Sequence, residues 1–301
     1  VTKPIKDSSH KKIVNLRLVF TGLSMGLADL IPGVSSGTIA FLYGIYDELL
    51  LAINTITGKS LKLFLKLKIK ESIKSIPFSF VIPLFVGMIF SIFTMSNAIK
   101  YLLENQPLLI WSLFFGFVLG SAFMIRNRVK LWGVKEILFL AFSCLITFLL
   151  VGLPSANIAP SPIVVFFSGI IGSIAMILPG ISGSLILVLI GQYKNIIDAI
   201  IDKDLLTLFI FATGIIIGVS VFARLLTWLL SKHHNTVMVV LIGIILGSLR
   251  SIWPWKGISG EVNLLNHIFV PIMLIITGFI FVFLLEKFGI TKEHNDDISN
   301  D

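Results

Sequence analysis

Apolar runs of 16 to 22 residues follow one another almost end to end through this sequence. A run of that length matches the hydrocarbon core of a bilayer, which a helix crosses in about 20 residues. The runs are continuous and do not alternate with polar residues, which argues against a membrane β-barrel. With 56% hydrophobic and 13% charged residues, the chain far exceeds the apolar content of a soluble domain. The reading is an all-α polytopic membrane protein. Its net charge of +8 does not point to nucleic acid, because the basic residues sit between the runs, where they meet lipid headgroups. The lone Cys144 lies inside an apolar run, so no disulfide framework or thiolate site is available. The five histidines lie outside the apolar cores without ligand spacing, which argues against a metal. Nothing calls for a cofactor.

The N-terminal stretch 1–17 is polar and basic, and no small-residue cleavage site follows the first run. It is expected to keep the N-terminus cytoplasmic. The predicted elements are 16–31, 35–56, 78–99, 108–125, 137–153, 163–178, 185–201, 205–230, 237–253 and 268–285, followed by a polar tail at 287–301. Between the second and third, Lys62, Lys66, Lys70 and Lys74 recur every four residues, on one side of a helix. That is either an ordinary positive-inside loop or an amphipathic helix lying on anionic headgroups.

Two elements are interrupted by the same polar break, Pro32-Gly33-Val34-Ser35-Ser36-Gly37-Thr38 and Pro179-Gly180-Ile181-Ser182-Gly183-Ser184. Gly22, Ala28, Pro32, Gly33, Ser35, Gly44 and Tyr46 each have an identical residue 147 positions downstream, from Gly169 to Tyr193. Identity at one fixed offset marks an internal repeat. The whole chain reads as a single transmembrane domain: repeat one at about 17–128, a linking helix at about 134–153, repeat two at about 163–255 and a final helix at about 267–286. Phe117-Val-Leu-Gly-Ser121 also echoes Ile244-Ile-Leu-Gly-Ser248. The linking helix is an odd crossing between the copies, so the second copy should be inverted. Charge agrees: the lysine loop and Arg126–Lys130 fall inside, while the uncharged 153–162 loop and the acidic loop with Asp198, Asp202 and Asp204 fall outside. Both termini are then cytoplasmic.

The runs leading to the two prolines are too short for a ~30 Å core, at about 24 Å of helix. They are expected to form re-entrant hairpins that turn near the midplane. Irregular backbone at that depth must be buried or line a wet cavity, and inverted repeats with broken helices build many transporter sites. Pro ends the incoming helix and Gly relieves the turn, while Ser and Thr cap the outgoing one. The N–H groups and hydroxyls of Gly33, Ser35, Ser36, Gly37, Thr38, Gly180, Ser182, Gly183 and Ser184 suit an anion, phosphate above all. The plainer alternative is that these serines only cap buried helix ends. Arg224 and Arg250 are the candidate cations for a phosphate, although either could snorkel to the headgroups. Asp29, three residues before Pro32, is an intramembrane carboxylate and a candidate coupling group, or a local cap. Asp47 and Glu48 are second choices, equally explained by an interfacial position. The second repeat has Met176 in place of Asp29, so the site is asymmetric.

The runs at 28–38, 44–48 (Gly-Ile-Tyr-Asp-Glu), 178–184 and 247–255 (Gly-Ser-Leu-Arg-x-x-Trp-Pro-Trp) resemble the bacterial polyprenyl-phosphate transporter family of the PopT type. The resemblance covers about 17–286, with Ser36 standing where a second Gly is expected. It implies a bacterial cytoplasmic-membrane protein that returns undecaprenyl phosphate, its lipid partner, from the outer to the inner leaflet for cell-envelope synthesis. An undecaprenyl-diphosphate phosphatase is the competing class, but neither break has an Arg beside its serine and no His is placed as nucleophile or acid. The expectation is therefore a transporter rather than an enzyme. A carrier of small soluble anions is the other alternative.

Overall fold

The computed structural model describes residues 8–31, 34–156, 158–256 and 268–287. Pro32 and Gly33 of the first break, both chain termini and the tail expected beyond 287 lie outside the described residues. Regular structure among the described residues is helical throughout. The first copy contains α1 (Ser8–Asp29), α2 (Ser36–Leu42), α3 (Tyr46–Asn54), α4 (Leu61–Leu65), α5 (Ile69–Ser75), α6 (Phe78–Asn105) and α7 (Pro107–Ile125). Then come α8 (Val134–Leu150), α9 (Pro162–Ile177), α10 (Gly183–Ile190), α11 (Tyr193–Ile201), α12 (Leu205–Ser248) and α13 (Val270–Lys287). Helices α6, α7 with its following turn, and α12 are each long and apolar enough to cross a membrane. The bent pair α10–α11, taken together, is also long and apolar enough, as a broken span or a re-entrant loop.

The repeat extends to the residue in the long helices. Asn105, the last residue of α6, lies 127 positions before Lys232, and Gln106 the same distance before His233. Gln106 has φ −136°, ψ 47°, and His233 has φ −130°, ψ 40°. The same non-helical residue thus ends each long crossing. Pro107 follows Gln106 and starts α7 as a separate helix, since proline pre-sets the first helical φ and needs no amide partner. His233 has no proline after it, so the two predicted elements at 205–230 and 237–253 run on as one bent 44-residue helix.

Between α3 and α6 the offset falls from 147 to 127 residues, because the first copy holds extra chain there. Of the two readings of these lysines, the amphipathic helix takes the form of three pieces rather than one: a π-helical turn (Thr55–Ser60), α4 and α5. The break falls at Leu67, with a left-handed φ of 58°, and serine hydroxyls pin the two arms together.

The predicted elements 35–56 and 185–201 are also each divided. Gly44 (φ 70°) separates α2 from α3, and Gly191 (φ 78°) separates α10 from α11, where the chain bends by 103°. A left-handed residue in both copies accounts for the paired glycines. Close helix packing repeats as well. Gly22 and Gly87 bring α1 onto α6, and Gly169 and Gly214 bring α9 onto α12; a Cβ at any of the four would overlap the facing backbone. Small residues that let backbones approach are the usual basis of helix association in lipid.

The linking and final helices pack on corresponding glycines, which the element count alone did not reveal. Helix α13 packs on α7 through Gly116, Gly120 and Gly278, and α8 packs on the second half of α12 through Gly243 and Gly247. Gly116 and Gly120 lie 127 residues before Gly243 and Gly247. The linking helix α8 thus packs on α12, and the final helix α13 on α7, through glycines at one fixed offset.

Candidate functional site

The two breaks meet in the core. At the first, Ser35 is the N-cap of α2, with extended backbone (φ −115°, ψ 129°), and its Oγ accepts from the Gly37 amide at 3.2 Å. Every residue of α2 is buried. The Ser35 hydroxyl donates across to the Leu178 carbonyl at 3.1 Å. The Gly180 amide donates to Thr38 Oγ1 at 2.8 Å. Tyr46 Oη donates to the Ile177 carbonyl at 2.9 Å, and its ring stacks on Phe41 with centroids 3.8 Å apart. Three side chains of the first hairpin thus satisfy the backbone of 177–180, where α9 has ended and its last carbonyls need partners. Gly37 lies in the same contact: a Cβ there would stand 3.0 Å from the Ile177 carbonyl oxygen.

The second break is not a mirror of the first. Ser182 is only partly buried and makes no cap bond. Its Oγ lies 2.8 Å from Ser184 Oγ. Gly180 adopts φ 89° and packs on α12, where an added Cβ would lie 2.8 Å from the Ile245 Cα and 3.1 Å from Ser248 Oγ. Gly183 allows α10 to approach α9, its Cβ position being 2.8 Å from the Gly172 carbonyl oxygen. Helix α10 has no fully buried residue, so the first-turn amides around Gly183 and Ser184, which a helix cannot satisfy itself, lie in a half-buried stretch, unlike those of α2. Tyr193, the counterpart of Tyr46, is 43% exposed and makes no matching clasp.

The charged candidates separate. Asp29 ends α1 with its side chain exposed, and its Oδ1 accepts from the Ser36 amide at 3.3 Å. It therefore helps to cap α2. Asp47 and Glu48 lie exposed in the first turn of α3, where acidic side chains complement the helix N-terminus. Arg224 is not at the breaks: its Nη2 donates to the Thr57 carbonyl at 3.3 Å, beside the π-helical turn. Arg250 follows two residues after Ser248, which touches Gly180, but its guanidinium turns to the end of α8. There Nη1 donates to the Phe148 carbonyl at 2.8 Å, and the group stacks over the Phe148 ring at 4.5 Å. Gly152 makes room for it, since a Cβ there would overlap the guanidinium. Gly33 lies outside the described residues.

Tyr46 was missed as a site residue, although its place in the repeated Gly-x-Tyr pattern was a signal. Arg128 was missed too: its guanidinium lies 5.9 Å from the Phe41 ring, the ring that stacks on Tyr46.

The family model for VCA0040-like, undecaprenyl phosphate translocase-like proteins matches residues 25–267. A polyprenyl-phosphate transporter of Vibrio cholerae serotype O1 is 40% identical over 243 residues, covering 80% of this chain and 79% of that protein. A polyprenyl-phosphate transporter of Staphylococcus aureus is 28% identical over 280 residues, covering 87% and 93%. Both relatives are named as transporters, neither as an enzyme. No solved structure matches the chain significantly. Apolar helices of spanning length and transporter relatives identify a multi-pass membrane protein. The matched segment includes both breaks and everything between them, and with it this chain belongs to the undecaprenyl phosphate translocase-like family.

Proposed function

We propose that the protein carries a polyprenyl phosphate, undecaprenyl phosphate in a bacterial cytoplasmic membrane, from the outer to the inner leaflet, and so returns the lipid carrier to cell-envelope synthesis. The observation that supports this best is the contact between the two breaks, with Ser35, Thr38 and Tyr46 of one hairpin bound to residues 177–180 of the other. Many transporters build their site where broken helices of two repeats meet, and alternate access by moving one repeat against the other. Among the described residues, three side-chain hydrogen bonds and no ion pair link the two breaks.

In this reading the two repeats are inverted in the membrane and both termini are cytoplasmic. The phosphate sits at the half-buried second break, on the hydroxyls of Ser182 and Ser184 and the first-turn amides of α10, with the first break as its opposite wall. Helix N-termini favour such an anion. Arg250 is the cation best placed to join, by leaving Phe148; Arg224 serves the cytoplasmic end of α3 instead. Asp29, at the edge of the first break, carries the coupling proton. No acid–base pair flanks the serines, which favours transport over hydrolysis.

The test is a proteoliposome assay that reports the leaflet of a labelled polyprenyl phosphate beside an assay for released phosphate. Leaflet exchange without release is expected. Release of phosphate from polyprenyl diphosphate would make the protein a hydrolase, and exchange of inorganic phosphate alone would make it a carrier of soluble anions.

A further inference from the structure

The first copy holds a segment with no counterpart in the second, the turn Thr55–Ser60 followed by α4 and α5. Residues 59–74 carry six lysines (59, 62, 66, 68, 70 and 74) and a single acid, Glu71. The segment is a built helical hairpin. Ser60 Oγ and Ser75 Oγ lie 2.6 Å apart, Ser72 Oγ donates to the Ser60 carbonyl at 2.7 Å, and Ser75 Oγ donates to the Ser72 carbonyl at 2.7 Å. Its base is fixed to α12 by Arg224 on the Thr57 carbonyl and by Asn54 Nδ2, 2.7 Å from Thr227 Oγ1.

The tip of this hairpin is apolar. Leu65 is 73% and Leu67 85% exposed, with Phe64 and Ile69 also exposed beside them. Leu67 has φ 58°, a left-handed conformation that side chains other than Gly, Asn and Asp rarely adopt. A polar turn residue would be less strained there and would not expose a leucine. Within the described residues 59–74, the ion pair is Lys68 with Glu71, at 3.2 Å. Two residues, Ile76 and Pro77, separate α5 from the spanning helix α6, so the hairpin cannot move far from the bilayer surface. An apolar knuckle ringed by lysines at that height has one complementary neighbour, an anionic lipid surface. We propose that this hairpin is a membrane-surface anchor. Leu65, Leu67 and Ile69 enter the acyl region, and Lys62, Lys66, Lys68 and Lys70 bind the phosphates of anionic phospholipids.

The experiment uses the full chain, with Cys144→Ser and Leu67→Cys, labelled at position 67 with an environment-sensitive fluorophore. The protein is reconstituted in phosphatidylcholine vesicles with and without phosphatidylglycerol. With phosphatidylglycerol, the expected result is blue-shifted emission, quenching by acyl-chain nitroxide lipids and loss of quenching by aqueous iodide. Lys62, Lys66, Lys68 and Lys70 replaced together by Gln should restore iodide quenching, each lysine weakening surface attachment about fivefold. Iodide quenching that is complete in both vesicle types would overturn the proposal. So would protection that appears only on adding a cytosolic protein fraction, which would assign the knuckle to a protein partner. The readout does not depend on transport, so a passive or inactive carrier leaves it intact.

Discussion

Two serines at equivalent positions do different work here. Ser35 is spent: its oxygen accepts from Gly37 and its proton goes to Leu178. Ser182 has only Ser184 for company on the more open side. Replacing Ser182 and Ser184 together by Ala should therefore weaken binding of a polyprenyl phosphate by about 1.5–3 kcal/mol for each charge-assisted bond lost, with little change in unfolding temperature. Ser35→Ala should show the opposite pattern, a loss of about 0.5–2 kcal/mol in stability from the missing cap. Affinity by ligand titration and thermal unfolding in the same detergent separate the two; equal behaviour of both sites would defeat the assignment. The motif announced that both serines sit at helix starts, because capping is a local property of chain and spacing. It could not announce which hydroxyl faces the other hairpin. That depends on how α2 docks against 177–180, and the repeat is identical at both serines. Tyr46 and Tyr193 make the same point, since one is buried in the clasp and its equal is exposed.

At the level of elements, glycine decides how closely helices approach, and the paired glycines mark where α13 packs on α7 and α8 on α12. A Cβ at Gly116 would overlap the Ile275 carbonyl, and one at Gly243 would overlap Ser143 on α8. Gly116→Ala and Gly243→Ala are each expected to destabilise the protein by about 1–3 kcal/mol, the usual range for overpacking. Gly58→Ala, whose nearest neighbour is the movable Arg224 Nη2 at 3.4 Å, should stay within about 0.5 kcal/mol. Thermal unfolding of the three variants checks this, and equal loss at Gly58 would remove the distinction between helix contacts and open turns. The echo of Phe117–Ser121 in Ile244–Ser248 was legible because both stretches press small residues against a partner. The partners, α8 and α13, share no motif, so their correspondence appeared only in the packing. The lysine-rich segment was only partly legible for a related reason. A four-residue period says which side of a helix is charged, but not that the chain folds back at Leu67 before a second helix begins.

For the molecule as a whole, the governing quantity is the voltage that a phosphate must oppose. The interior of a bacterium is negative, so inward movement of each negative charge costs about 2.3 kcal/mol per 100 mV. A phosphate monoester carries nearly two charges at neutral pH, which makes the opposing term roughly 4 kcal/mol at that potential, or about a thousandfold against accumulation. One or two protons moving with the lipid would cancel the charge. Asp29 is the acid positioned for this, exposed at the edge of the first break and bonded to the Ser36 amide. Its bond to the Ser36 amide also makes a structural role separable from a coupling role. Asp29→Asn keeps an oxygen acceptor for Ser36 and removes the titrating group, whereas Asp29→Ala removes both. If Asp29 carries the proton, wild-type proteoliposomes should take up a polyprenyl phosphate faster when the acceptor leaflet is alkaline. Both variants should lose that pH dependence, and only Asp29→Ala should also unfold at a lower temperature, by about 1 kcal/mol of lost capping. A pH dependence that survives in Asp29→Asn would move coupling to Asp47 or Glu48, which α3 holds on the exposed face beyond Tyr46. Uptake indifferent to both the pH gradient and the voltage in wild type would leave consumption of the lipid inside the cell as the only driving force.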